Sequence, residues 1–116
     1  MFEMKPDFDD VLERYEAWWE CAIVDRPLVS IAYAKPESQH RALPPSSHAT
    51  LRERWLDTGY VVERADAALS NTAHVADSLP IAWPNLGPDV FASFYGCDQT
   101  FGETTVWSHP ILKGHR

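Results

Sequence analysis

The sequence predicts an α/β fold, rich in helix, with a small sheet of about three short strands. Three observations predict it. Phe8, Val11, Leu12, Tyr15, Trp18 and Trp19 recur at the spacing of one helix face. "LVSIAYA" and "TTVW" are short runs rich in β-branched and aromatic residues, each bordered by a proline or a loop. Helix-like and strand-like segments also alternate along the chain, the pattern of helices layered on a sheet.

With 116 residues, the chain has the size of one domain, 1–116, or a piece of one. Its composition, 45% hydrophobic and 23% charged, is globular. A net charge of −7 argues against nucleic acid or an anionic membrane as partner, because both require clustered Lys and Arg. The basic end, Lys113 to Arg116, is too short to reverse that balance. No apolar run is long enough to span a bilayer, and the acidic start "MFEMKPDFDD" lacks a signal-peptide core. Cys21 and Cys97 form no CxxC and read as two reduced thiols of a cytoplasmic protein rather than a lone disulfide.

Asp7 stands at an N-cap position, with Asp9 and Asp10 in the first turn where the helix dipole favours acids. The helix is expected to end near Ala22, with the Trp18–Trp19 pair in the core. Pro27 stops it, and Leu28 to Ala34 reads as a strand with Val29, Ile31 and Tyr33 on one face. Residues 35–49, with three prolines and three serines, form an aperiodic, flexible loop or lid. Thr50 and Glu53 fit a capping box for a helix over "TLRERWL", with a break at Gly59. A longer helix is expected from about Tyr60 to Ala76, burying Val61, Ala65, Ala68, Leu69, Thr72 and Ala76. "LPIAWPNLGPDVFASFYG" then reads as a strand, a rigid turn and a short helix ending at a glycine. A last strand is expected over Thr104 to Trp107. Three short strands leave open edges that must be covered, by association or by further chain.

Phosphate-cradling glycine motifs, HExxH, paired CxxC, an EF-hand loop and a GxSxG elbow are all missing from the sequence. No spacing announces a metal site, and no cofactor is implied by motif. Among the five histidines, His40 and His48 fall in the Pro-rich loop and read as solvated, while His74 falls on the predicted long helix. His109 is the candidate for acid–base work, with Asp98 and Glu103 nearby in sequence. Its alternative role is a strand-end histidine bonded to backbone. At the corner, Trp83, Asn85, Asp89 and Tyr95 are candidate ligand-binding residues. Pro84 and Pro88 restrict φ there and Gly87 permits positive φ, so Asn85 and the helix start can face an anionic group. Asn85 and Gly87 are equally explained as turn residues, and Asp89 as a first-turn charge.

Three stretches, "YEAWWECAIVDRPLVSIAYA", "RWLDTGYVVERADAALSNTAHVADSLPIAWPNLGPDVFASFYG" and "FGETTVWSHPIL", resemble the N-terminal part of the uroporphyrinogen decarboxylase-like superfamily. That group includes the methylcobamide:thiol methyltransferases. "WPNLGP" is the most distinctive of the motifs, which are long but soft. The resemblance implies a partial (β/α) barrel-like unit, with "WPNLGP" as a loop at the mouth of a pocket for a tetrapyrrole or corrinoid-bound group. The Arg-rich N-terminal signature of the decarboxylases has no counterpart here, and the methyltransferase zinc ligands belong to the later barrel. The resemblance therefore transfers no catalytic set, and activity is expected to be incomplete in this chain alone. The alternatives are a self-associating small-ligand module, a homo-oligomer with the Trp18–Trp19 stripe as interface, and a small enzyme using His109.

Overall fold

The computed structural model describes residues 3–83, 86–88 and 90–112. These residues form a mixed α/β structure of helices and two small antiparallel sheets. No closed barrel is present among the described residues. The chain divides into two compact units, residues 1–43 with 64–82, and residues 44–63 with 83–116.

The first unit starts with α1 (Phe8–Trp19), whose first turn carries Asp9 and Asp10 as the sequence predicts. Asp7 occupies the N-cap position without capping; its carboxylate pairs with Lys5 Nζ at 3.1 Å. The helix ends at Trp19, earlier than Ala22. Cys21 N–H donates to the Trp18 carbonyl and Ala22 N–H to the Ala17 carbonyl, with Cys21 at φ 56°. This is a Schellman stop, with cysteine in the left-handed position that glycine usually fills. The amphipathic stripe runs from buried Val11 outward to the solvent. Trp18 and Trp19 are 57% and 78% exposed and so are not core, because nothing in the described unit extends past the helix end to cover them.

Strand β1 (Ser30–Ala34) pairs antiparallel with β2 (Thr72–Ala76), with Ile31 opposite Val75 and Ala32 opposite His74. Residues 72–76 are thus strand, not the end of a long helix. Asn71 ends the preceding helix by binding a different segment. Its side chain accepts from Arg41 N–H at 2.7 Å and donates to the Arg41 carbonyl at 2.9 Å, and its own carbonyl accepts from Lys35 N–H. Ser70 and Thr72 hydroxyls take the carbonyls of Asp66 and Ala68, side-chain bonds that compete with continued helix. The 35–49 segment is irregular apart from one 3₁₀ turn, Glu37–Gln39.

One buried carboxylate ties this unit together. Asp77 is fully buried and accepts from both Nη atoms of Arg26, from Val29 N–H at 2.9 Å and from Arg14 Nη1 at 3.5 Å. Its backbone joins the same network, with Tyr15 Oη donating to its carbonyl and its N–H donating to the Val29 carbonyl. Next to it Ala76 is held at φ 53°, and its carbonyl accepts from the buried Lys5 at 2.5 Å. The left-handed alanine persists because bonds on both sides determine it.

The second unit holds α2 (Leu51–Leu56), capped by Thr50 Oγ1 accepting from Glu53 N–H at 3.2 Å, as the capping box predicts. The Glu53 carboxylate reaches back to Ala49 N–H. After a break at Asp57, α3 (Thr58–Ser70) begins and continues into residues of the first unit. The short strand expected ahead of the Trp83 turn, residues 79–82, is irregular, since Pro80 has no N–H to donate to a ladder. The short helix is α4 (Val90–Ser93), and the chain turns at Gly96 with φ 81°. β3 (Gln99–Phe101) and β4 (Val106–Ser108) pair antiparallel, Phe101 opposite Val106. Thr104 and Thr105 lie in the connecting loop, so the last strand starts later than the sequence predicts. Val106 is buried, and Gly87, at φ 107°, lies against it: a Cβ there would stand 2.2 Å from the Val106 carbonyl oxygen.

Two outcomes follow from these packings. Gly87→Ala meets both a positive φ and a backbone oxygen, and is expected to cost about 2 kcal/mol or more in urea unfolding. A loss under about 0.5 kcal/mol contradicts the close approach. The guanidinium of Arg26 outweighs the burial of Asp77 and holds its carboxyl at about 2, below the ordinary 3.8. This contribution is complete above the unfolded value and is lost as pH falls from about 4 through 2. Asp77→Asn is expected to cost about 3 kcal/mol at neutral pH and to flatten the acid limb of the stability profile. An unchanged acid limb refutes the Asp77 network.

Candidate functional site

The three sequence-predicted catalytic residues lie on or beside the β3–β4 hairpin, but their side chains do not converge. His109 follows β4, and its N–H donates to the Asp98 carbonyl at 2.8 Å, extending the strand ladder by one bond. The His109 ring bonds the Thr100 hydroxyl through Nε2 at 2.7 Å rather than either predicted carboxylate. Glu103 is held by Arg54, whose Nη1 donates to Oε2 at 2.8 Å and whose Nη2 donates to the Glu103 carbonyl. Trp55 Nε1 donates to the Gly102 carbonyl, so α2 grips the hairpin loop at two successive residues. Asp98, Glu103 and His109 are all exposed.

The predicted corner is a set of open aromatic surfaces. Trp83 is 80% and Tyr95 68% exposed. Phe91 stands edge-on to Tyr95 with centroids 5.6 Å apart and lies 6.1 Å from Phe94. Asn85 and Asp89 fall outside the described residues, as does Pro84.

A second chain of polar contacts in this unit joins residues that no sequence motif links. Ser46 Oγ lies 3.0 Å from His48 Nδ1, and His48 Nε2 lies 3.0 Å from Asp57 Oδ2. His48 is half-buried rather than solvated, with its ring edge-on to Tyr60 at 4.8 Å. Ser, His and Asp in this connectivity suggest a nucleophile relay. Asp57, however, also accepts from Tyr60 N–H at 3.0 Å and stands at the start of α3. The Tyr60 N–H and the His48 ring hold its carboxyl below the ordinary range. The cluster spans residues 46–60, and Ser46 at its end is exposed. Its chemistry is that of a loop anchored to a helix start. The sequence signal was present in Asp57 before "TGY", an N-cap pattern; the reach of His48 to it was not.

Asp77 and its arginines, also missed, are separated by 51 residues from Arg26 to Asp77. Around the end of α1 lie shallow clefts lined by Trp18, Trp19, Ala22 and Ile23. Cys21 is exposed and Cys97 half-buried, both as free thiols. Among the described residues no group of three His, Cys, Asp or Glu is placed to hold a metal ion, and no helix is long and apolar enough to cross a membrane. Comparison with protein-family models, with curated proteins and with solved structures returned no match.

If Ser46–His48–Asp57 is an anchor, its members differ in weight. Asp57→Ala removes the helix-start acceptor and the His48 partner, and is expected to cost about 1–2 kcal/mol. Ser46→Ala, at the exposed end, is expected to stay within about 0.5 kcal/mol. Equal losses in thermal unfolding for both variants contradict this assignment.

Proposed function

We propose that this chain serves as an N-terminal, non-catalytic segment of a uroporphyrinogen decarboxylase-like or methylcobamide:thiol methyltransferase-like barrel. Its 79–96 corner forms part of the rim of a pocket for a tetrapyrrole or corrinoid-bound group. Catalytic groups come from other polypeptide.

The observation that carries this reading is the corner itself. Trp83, Phe91, Phe94 and Tyr95 present flat rings to solvent at 68–82% exposure, next to the turn that most resembles the family. Large flat apolar ligands are held by exposed rings, and the open cluster of Phe91, Phe94 and Tyr95 marks a place of contact. The polar groups nearby, His109 with Thr100 and Glu103 with Arg54, are engaged with one another and form no acid–base pair aimed at a cavity. Support for the barrel comes from the sequence resemblance alone.

Equilibrium dialysis against hydroxocobalamin and uroporphyrin III tests the reading. Half a pocket is expected to bind one of them weakly, with a dissociation constant of about 0.1–1 mM. Trp83→Ala is expected to weaken that at least fivefold without changing the circular dichroism. Neither ligand bound, or binding indifferent to Trp83, overturns the rim assignment. Turnover of uroporphyrinogen, or of methylcobalamin with a thiol, by the chain alone overturns its non-catalytic character.

A further inference from the structure

We propose that a second copy of this chain pairs with the outer edge of β1, strand against antiparallel strand, giving one continuous sheet ordered β2–β1–β1–β2. All five residues of β1 are exposed. In the ladder with β2, Asp77 N–H donates to the Val29 carbonyl and Lys35 N–H to the Asn71 carbonyl. An antiparallel ladder bonds every second residue to its partner, so Val29, Ile31, Tyr33 and Lys35 turn their backbone toward β2. Ser30, Ala32 and Ala34 therefore turn theirs outward, where their amides and carbonyls have no partner among the described residues. Residues 30–34 hold no lysine, proline or bulge of the kind that blunts an open strand edge.

The occupant is a second copy because β1 fits itself. With a twofold axis through Ala32, Ser30 falls opposite the partner's Ala34 and Ala32 opposite the partner's Ala32, and each such pair exchanges both of its backbone bonds. Pro36, the next outward residue, has no N–H to give, so the exchange ends there. On the other face of the sheet the same register sets Ile31 against the partner's Tyr33, and Tyr33 against the partner's Ile31, side chains that stand 47% and 56% exposed in the single chain. Chains of net charge −7 approach best at an uncharged segment, and residues 27–34 carry no charge. Lys35, at the strand's end, is turned inward, its Nζ donating to the Ser70 carbonyl at 2.7 Å. β2 offers no such edge: four of its residues are half-buried, and its Ala76 carbonyl accepts from Lys5. The sheet therefore grows on one side only and closes as a dimer.

Five residues a side bury less than the roughly 800 Å² per partner of a stable interface, and a dissociation constant of about 0.1 mM is expected. Light scattering across a hundredfold range of concentration about that value tests the pairing, with amide hydrogen exchange followed residue by residue on the same samples. The full chain is expected to rise from 13.2 kDa toward twice that mass and to stop there. The amides of Ser30, Ala32 and Ala34 are expected to exchange at least threefold more slowly at the highest concentration than at the lowest. Those of Ile31 and Tyr33, already bonded to β2, are protected throughout and report that the ladder is intact. Ala32→Lys, which sets two ammonium groups opposite one another at the axis, is expected to weaken dimerisation at least tenfold and to leave that protection in place. Trp83→Ala, which weakens ligand binding at the 79–96 corner, is expected to leave the dimer unchanged, so the two assignments fail separately. A monomer at every concentration, a rise in mass without slower exchange at the three outward amides, or open-ended growth overturns the proposal. So does a dimer lost on Trp19→Ala but indifferent to Ala32→Lys, which places association at the end of α1.

Discussion

The first unit depends on the buried carboxylate of Asp77. Removing a carboxylate from water is costly unless charge and hydrogen bonds replace the lost hydration. Arg26, Val29 N–H and Arg14 supply that replacement, and they come from three places: the helix α1, the turn after it and the lead-in to β1. Satisfying one side chain therefore fixes where three segments meet. The left-handed Ala76 and the buried Lys5 on its carbonyl follow from the same demand. With Val11 and Ala67 as the fully buried apolar residues described in this unit, polar geometry carries much of its specificity.

The second unit uses a different device. Here Val106 is enclosed by a close backbone approach at Gly87, and α2 holds the hairpin loop through Arg54 and Trp55. Both units are secured by hydrogen bonds to backbone carbonyls, while Trp18, Trp19, Trp83 and Trp107 stay exposed. Trp19, Trp83, Phe94 and Leu112 are each more than three-quarters exposed. Apolar area left open on this scale is the driving force for binding, whether the occupant is another polypeptide or a flat ligand.

That division also explains why residues adjacent in sequence do not form a shared site. Asp98, Glu103 and His109 lie close in sequence, and His109 stands opposite Asp98 at the end of the ladder, but only their backbones are joined there. Glu103, in the hairpin loop, is taken by Arg54, and His109 turns to the neighbouring strand and finds Thr100. His48 and Asp57, by contrast, lie on a loop and a helix start that fold back on one another, which spacing alone did not disclose.

The features that short-range sequence settles are local. The periodicity of α1, the Thr50–Glu53 box, the positive φ of Gly87 and the stop at Gly96 each depend on neighbouring residues within a few positions, and all are legible. The sequence alone also made a mixed helix and strand content plain. Tertiary structure decided the rest, because the deciding partners are distant. Residues 72–76 became strand since Ser30 to Ala34 offered a ladder and Asn71 was captured by Arg41. Residues 79–82, expected as strand, found no ladder partner among the described residues. Trp18 and Trp19 carry the pattern of a buried stripe, but a stripe states only that a face is apolar. Whether that face is covered depends on which other segment reaches it, and in the described fold none does.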